Sequence, residues 1–149
     1  MSGTRAMAVL FLALCCLHLQ AYEPRVTASK TSATGGPEEV VRLCLQRIGT
    51  NVSSIRDLFF SPDGSVIVYG QGDGSMSSQT TEEWIASAET QKQWTHVVDK
   101  ISSETLQGTL AVVLVEGHTE TWRTDFRSVY TLTRQGGGWQ ILTLVQENR

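Results

Sequence analysis

The chain has 149 residues, a length that suits one domain, and a formal net charge of −3. Lys and Arg total 12 against 15 Asp and Glu, so no basic excess exists to hold nucleic acid, and we expect no nucleic-acid partner. The three cysteines and three histidines show no zinc-ligand spacing, and we expect neither a metal site nor a cofactor.

Residues 1–21 are predicted to form a secretory signal peptide. Arg5 precedes an unbroken apolar run from Ala6 to Leu17, and cleavage is expected after the small residue Ala21. The apolar run is shorter than a membrane-spanning helix requires. We therefore expect a secreted or secretory-pathway lumenal protein with no membrane attachment after signal removal. A second interpretation is a signal anchor that stays attached.

Residues 22–36 are rich in Ser, Thr, Ala and Gly and show no apolar period, which predicts a disordered linker. A Ser/Thr-rich, acid-poor stretch behind a signal peptide also resembles the two-part leader of proteins sent to complex plastids, which is the alternative localisation. Removal of residues 1–21, which carry one arginine and no acid, changes the net charge from −3 to −4. Cys44 is then the only cysteine, so no internal disulfide is possible.

The domain is predicted to begin at Pro37, because proline followed by two glutamates suits the first turn of a helix. Apolar residues then recur on one helical face, namely Val41, Cys44, Leu45 and Ile48. We interpret Cys44 as a buried small hydrophobe rather than a free reactive thiol or an interchain disulfide. Gly49 ends this helix, and Asn51-Val52-Ser53 is an N-glycosylation sequon that depends on the signal peptide.

A second short helix is predicted over 54–60, followed by a turn and a strand over 65–69. The glycine-rich stretch 70–74 is interpreted as a flexible loop, because no helix opens directly behind it as a dinucleotide-binding loop requires. Thr80 and Glu83 have capping-box spacing and predict a third helix, which extends to about Gln91.

Beyond this helix the apolar period changes to two, and four strands are predicted: Trp94–Ser103, Thr109–Glu116, Thr121–Arg134 and Trp139–Gln146. Helices followed by a run of strands indicate an α+β fold with an antiparallel sheet and helices on one face. Residues 110–115 are apolar at every position, so both faces of that strand are expected to be covered. The helices cover one face, and a second copy of the chain is the natural cover for the other.

The order of these elements resembles the nuclear transport factor 2-like superfamily, the cone-shaped α+β fold of SnoaL-like cyclases, ketosteroid isomerase and scytalone dehydratase. Four features of residues 37–149 carry the resemblance: the helices ending at Ile55–Phe60, the short strand before the Thr80–Gln91 helix, the long strands Thr109–Glu116 and Thr121–Arg134, and the closing strand, glycine turn and Trp139 of residues 131–141. The resemblance implies a curved sheet, a cone that encloses a small-molecule pocket, and a homodimer through the outer sheet face.

Aromatic residues are the candidate ligand-binding groups of this cone: Trp84, Trp94, Trp122 and Tyr130. Enzymes with this fold place an Asp, His or Tyr in the cone as acid or base. His96, Asp125 and Tyr130 are therefore the candidate catalytic residues. His96 is also consistent with a hydrogen-bonded strand histidine, and Asp125 and Tyr130 must face opposite sides of their strand unless a bulge intervenes. His118 is expected in an exposed turn.

The sequence shows no recognisable catalytic dyad or triad, which favours a binding domain over an enzyme. We expect a secreted or lumenal domain that dimerises and holds a small apolar ligand or a protein partner in its cone. The alternative is a cofactor-independent isomerase, cyclase or dehydratase with His96 or Asp125 as base and Tyr130 as donor. A dimerisation module without a ligand is a third hypothesis.

Overall fold

The computed structural model describes residues 35–149 apart from 62–64, 71–73, 93 and 122. The predicted signal peptide, residues 22–34 of the predicted linker and Trp122 lie outside the described residues. Within the described part of the chain, no helix is long and apolar enough to cross a membrane.

Three helices precede or interrupt the sheet: α1 (Pro37–Thr50), a 3-10 helix (Val52–Leu58) and α2 (Thr81–Glu89). The predicted start of α1 agrees with the structure, and Cys44 is buried on the inner face of this helix. The predicted second helix exists but begins two residues earlier and is a 3-10 helix. At α2 the capping box forms, because Thr80 Oγ1 accepts the Glu83 N–H at 3.2 Å and Glu83 Oε2 accepts the Thr80 N–H at 2.9 Å.

The six strands are β1 (Val66–Gly70), β2 (Met76–Thr80), β3 (His96–Leu106), β4 (Leu110–Thr119), β5 (Asp125–Gln135) and β6 (Gly138–Asn148). They form one sheet in the order β2-β1-β6-β5-β4-β3. All neighbours are antiparallel except β1 and β6, which are parallel. The prediction of a helix-covered α+β sheet is confirmed, with this parallel pair as the departure from a purely antiparallel one.

Strand β2 is absent from the sequence-based prediction, which assigned no strand between residues 70 and 80. It is an edge strand with the single neighbour β1, and its side chains are exposed over most of their length. An edge strand without a buried face needs no alternation of apolar and polar residues, so the pattern that identifies strands is missing here.

Bulges curve the sheet at two places, at Asp99 between Val98 and Lys100 in β3 and at Leu142 in β6, opposite Thr131 and Leu132 of β5. The helices pack on the concave face and form the core, whose largest fully buried side chains include Tyr130, Phe59, Leu45 and Ile55. The last hairpin turns at Gly136 and Gly137, with φ values of 60° and 95°. These positive angles are the reason that glycines stand at this reversal.

The outer face of the sheet is not covered by any described element of the chain. Large apolar side chains are exposed on it: Leu106 is 49% exposed, Leu114 47% and Val145 37%. Between them Arg127 donates to Glu116 across strands at 2.6 Å. The face therefore combines an apolar surface with a cross-strand ion pair.

The prediction that His118 lies in an exposed turn is wrong. Strand β4 continues to Thr119, so His118 lies within the sheet instead of in an exposed turn. It is half-buried on the outer face, and its Nδ1 lies 2.8 Å from Asp99 Oδ2. The β-bulge at Asp99 brings the two groups together.

Candidate functional site

A cavity of about 660 Å³ lies between α2 and the end of the sheet at which β6 finishes and β3 begins. This volume falls within the range of about 300–1,000 Å³ that small-molecule sites usually have. Strands β1, β2 and β6 supply one wall, α2 a second, and the segment at residues 94–96 a third. The cavity is open at this end of the sheet.

Aromatic side chains make up the wall nearest α2. The rings of Tyr69 and Trp84 are stacked, with centroids 6.1 Å apart and planes inclined by 11°. Trp94 lines the cavity as well, and Lys92 Nζ lies 5.6 Å from the centroid of its ring. Burial raises the pKa of Tyr69 well above its ordinary value, so its hydroxyl stays protonated. These walls present flat apolar surfaces without a negative charge.

A chain of neutral hydrogen-bonding groups occupies the sheet wall. Ser128 and Gln146 stand opposite each other in β5 and β6, and the Ser128 hydroxyl donates to Gln146 Oε1 at 3.2 Å. Gln146 Nε2 in turn donates to Asn148 Oδ1 at 3.1 Å. Gln146 is only 4% exposed, which means that its amide is held by these partners and by the cavity wall. Asn148 therefore keeps its own amide N–H groups for a molecule in the cavity.

His96 begins β3 and faces the same cavity. Its ring is half-buried and packs edge-on against Phe126, with centroids 5.0 Å apart and planes inclined by 80°. Burial lowers the pKa of His96, and the backbone of Trp94 opposes that shift in part. The ring is therefore neutral at pH 7. Its Nδ1 is buried from solvent and has no hydrogen-bond partner among the described residues, so a ligand could bond this atom only after the ring turned toward the cavity.

Gly117 makes room for the aromatic ring that supports His96. A Cβ at this position would lie 2.2 Å from the Val97 carbonyl oxygen and 2.8 Å from Cζ of Phe126. Because Gly117 has no side chain, the Phe126 ring lies across the strand and reaches His96. Sequence reasoning attached no role to Gly117, although a glycine inside an otherwise apolar strand is a sign of close approach.

Tyr130 and Cys44 lie in the core, outside the set of residues that line the cavity. Both side chains are fully buried, and the Tyr130 hydroxyl has no hydrogen-bond partner within the described residues. Burial raises the pKa of Tyr130 far above its ordinary value. Burial also raises the pKa of the Cys44 thiol to about 12, against the opposing charge of Arg47. Cys44 is a free, buried cysteine, as its helical position predicts.

The structure brings only some of the predicted site residues together. Trp84, Trp94 and His96 line the cavity together. Asp125 is exposed on the opposite face of β5 from the buried Phe126, so the structure does not bring it near His96. Sequence reasoning did not select the polar residues of the wall, which include Gln79, Thr119, Thr124, Gln146 and Asn148. Gln146 and Asn148 lie two apart on β6, a period-2 signal that points both side chains to one face.

The site offers recognition more readily than acid–base chemistry. His96 is the titratable cavity residue that a proton-transfer mechanism would use, and no carboxylate is among the described residues of the lining. Within the described part of the chain, no group of three or more His, Cys, Asp and Glu side chains is placed to hold a metal ion. Stacked rings and amides suit a flat molecule with hydrogen-bonding edges.

The family model described as "Putative lumazine-binding" matches residues 48–145. The chain belongs to this family. The match begins in the last turns of α1 and ends in β6, so it contains the aromatic wall, His96 and nearly all of the sheet. No curated protein matches the chain significantly.

Solved structures agree on the fold. A protein of unknown function from Pectobacterium atrosepticum is 17% identical, with a TM-score of 0.61 over 75% of this chain and 87% of that one. A cystatin-like fold protein from Burkholderia xenovorans is 15% identical, with a TM-score of 0.61 over 74% and 87%. Nuclear transport factor 2 from Cryptosporidium parvum is 13% identical, with a TM-score of 0.57 over 75% and 90%. The expected nuclear transport factor 2-like fold is confirmed.

Proposed function

We propose that the protein is a binding domain whose cavity takes a small, flat heteroaromatic molecule of the pteridine class. The observation that carries the proposal is the combination of stacked Tyr69 and Trp84 rings with the amides of Gln146 and Asn148 in one cavity, where the buried Ser128 hydroxyl holds the Gln146 amide. The family description supplies lumazine as the first compound to test. The sequence predicts a small apolar ligand, and this proposal restricts that class to flat rings with polar edges.

The neutral wall suits such a ring for a physical reason. A pteridinedione carries carbonyl oxygens and ring N–H groups at its edges, and these need donors and acceptors when water is removed. Amides supply both kinds of group, whereas a carboxylate would repel the carbonyls. Flat faces of the ligand would lie against Trp84 or Trp94, where stacking adds to the burial of apolar area.

Titration of the protein with lumazine, followed by quenching of tryptophan fluorescence and by calorimetry, tests the proposal. We expect saturable 1:1 binding per chain. Trp84→Ala should raise Kd about tenfold, because loss of one buried ring contact of about 1.4 kcal/mol gives that factor. Glu104→Gln, a change at an exposed position of β3 far from the lining, is the matched control and should leave Kd unchanged. Absence of saturable heat with the wild-type protein would reject the ligand class.

We also propose that the protein is a homodimer through the outer face of the sheet. The exposed Leu106, Leu114 and Val145 support this, because side chains of this size on one open sheet face are typical of an interface. Light scattering at micromolar concentration should give twice the mass of the chain. Leu114→Glu should give a monomer, and a wild-type monomer would remove this proposal while leaving the cavity proposal intact.

Secretion remains a proposal based on residues 1–21. The exposed position of Asn51, at the C-terminal cap of α1, is compatible with a glycan on the sequon. Expression in a secreting eukaryotic cell should yield protein in the medium whose mass falls on glycosidase treatment. Asn51→Gln is the control for the glycan, and retention of the chain in the cytosol would contradict the signal peptide.

The second candidate function is a cofactor-independent isomerase, cyclase or dehydratase, and the neutral His96 in the cavity wall supports it. In this structure His96 would act as base without Asp125, which is on the other face of the sheet, or Tyr130, which is in the core. If a substrate is found, His96→Gln should abolish turnover and leave binding of that substrate nearly unchanged. Retained turnover would exclude His96 as the base.

A further inference from the structure

A second, smaller cavity of about 310 Å³ opens between the C-terminal half of α1 and the start of β3. The buried Leu45 and the half-buried Val98 give it an apolar lining. The exposed residues Arg42 and Thr50 lie on its α1 side. We call this space the side cavity, and the 660 Å³ space the main cavity.

His96 belongs to the walls of both cavities. Its ring therefore separates the two spaces, and its Nδ1 is buried from solvent without a hydrogen-bond partner among the described residues. A buried ring nitrogen without a partner is unfavourable unless a bound molecule or water satisfies it. A ligand that extends from one cavity into the other must therefore turn this ring aside, and a polar atom of the ligand would then bond the nitrogen that the turn exposes.

Gly49 packs closely against the segment that carries the His96 ring. It lines the side cavity, and a Cβ there would lie 3.2 Å from Thr95 Cα and 3.4 Å from the Trp94 carbonyl oxygen. Any side chain at this position would press on the segment that carries His96. The absence of a side chain at Gly49 thus leaves the ring of His96 in place between the two spaces.

Arg42 gives the side cavity a charge preference. No ion pair holds its guanidinium within the part of the chain that the structure describes. An arginine in this condition at the edge of an apolar space favours a ligand whose chain ends in a carboxylate or phosphate. Among the described residues that line the main cavity, the permanent cation is Lys92, whose ammonium lies over the Trp94 ring.

We propose that the binding site is bipartite: the main cavity holds the flat ring, the side cavity holds a short chain ending in an anionic group, and His96 lies between them and binds the junction. This inference rests on the proposed function, because it presupposes a ring in the main cavity. The inference adds the chemistry of the chain attached to the ring, which the proposal of ring binding does not specify. The predicted ligand is a ring-substituted pteridine with an anionic chain of a few carbons.

The test compares three probes on the full chain: lumazine, lumazine carrying a five-carbon carboxyalkyl chain on a ring nitrogen, and the amide of that acid. We expect the acid to bind the wild-type protein about tenfold more tightly than lumazine, the factor expected for one charge-assisted contact plus chain burial. The amide should lose most of that gain. Equal Kd values for the acid and lumazine would overturn the bipartite site.

Three variants assign the gain to the side cavity. Thr50→Trp fills its mouth from an exposed position, and Arg42→Gln removes the charge; each should abolish the tenfold gain while leaving the Kd of lumazine unchanged. Arg134→Gln removes an exposed arginine at the opposite end of β5, over the Trp139 ring, and should preserve the gain. A gain that survives Thr50→Trp would place the chain elsewhere and reject the proposal. Failure of lumazine itself to bind would reject the proposed function instead.

Discussion

The concave face of the sheet is apolar at one end and polar at the other, within the same three strands. At the closed end, Leu132 and Ile141 pair across β5 and β6 and are fully buried under the helices. At the open end of the same two strands, the paired residues are Ser128 and Gln146. Strand β4 changes in the same direction, from Ala111 to Thr119.

This difference separates stability from recognition along a single sheet. Apolar burial at the closed end supplies the free energy that holds the cone together, since no disulfide is present among the described residues. At the open end, polar groups occupy part of the concave face. Burial of these groups contributes less to the free energy of folding, but they can form hydrogen bonds with a ligand. Changes at the two ends should therefore affect different measurements.

The largest expected effect is at the closed end. Leu132→Ala removes a fully buried side chain and leaves a cavity, which should lower the free energy of unfolding by about 3 kcal/mol. Urea unfolding followed by circular dichroism measures the change. Kd for lumazine, measured where the variant is still folded, should remain that of the wild type.

The counterpart at the open end is Gln146→Leu combined with Ser128→Ala, which removes both partners of one buried hydrogen bond. Because neither group is left unsatisfied, the free energy of unfolding should change by less than about 1 kcal/mol. Lumazine binding should weaken strongly, since Asn148 loses the amide that orients it. A large loss of stability in this double variant would show that the two ends are not separable in this way.

Gly117 tests whether the polar end depends on packing beneath it. Gly117→Ala places a methyl group against the Val97 backbone and the Phe126 ring, and we expect a loss of about 2 kcal/mol from overpacking. Displacement of Phe126 should also weaken lumazine binding through His96. Gly70→Ala is the control, because its added Cβ would meet its nearest neighbour at an ordinary 3.7 Å. Equal stability of the two variants would contradict the close approach at Gly117.

The closed end could be predicted from sequence because burial leaves a periodic signal. The apolar face of α1 and the glycine turn before Trp139 both appear in the sequence as regular patterns, and the structure confirms the helix and the hairpin. Strand β2 could not be predicted in this way, since its exposed residues 76–80 carry no apolar alternation. The parallel pairing of β1 with β6 joins segments that are more than 70 residues apart, and no local pattern encodes it.

The open end was only partly predictable. Trp84, Trp94 and His96 were selected because aromatic and histidine side chains are distinctive in any sequence. The sequence does not identify Gln146 and Asn148 as site residues, because a neutral amide on a strand is typical of an ordinary surface position. What distinguishes Gln146 is its 4% exposure and its bonds to Ser128 and Asn148, and both depend on the pairing of β5 with β6.

The smallest expected effect concerns the protonation of His96. The folded-state pKa lies below the ordinary value of 6.5 because burial disfavours the charged ring. The unfolded chain thus binds the proton more readily, so stability is fully present above pH 6.5 and falls as the pH drops from 6.5 toward the folded pKa. The free energy of unfolding of the wild type should decrease between pH 7 and pH 5.

His96→Gln isolates this contribution by difference. The His118–Asp99 pair and Lys92, the charged groups near this end of the sheet, are common to both proteins and cancel. Hydrogen-bond partners lower the pKa values of Glu82, Glu83 and Glu116 from 4.5, and the contributions of these groups are also common to both proteins and cancel. Urea unfolding at pH 7 and pH 5 should give a smaller pH dependence for the variant. An identical dependence would mean that the His96 ring is as easily protonated in the fold as in the unfolded chain.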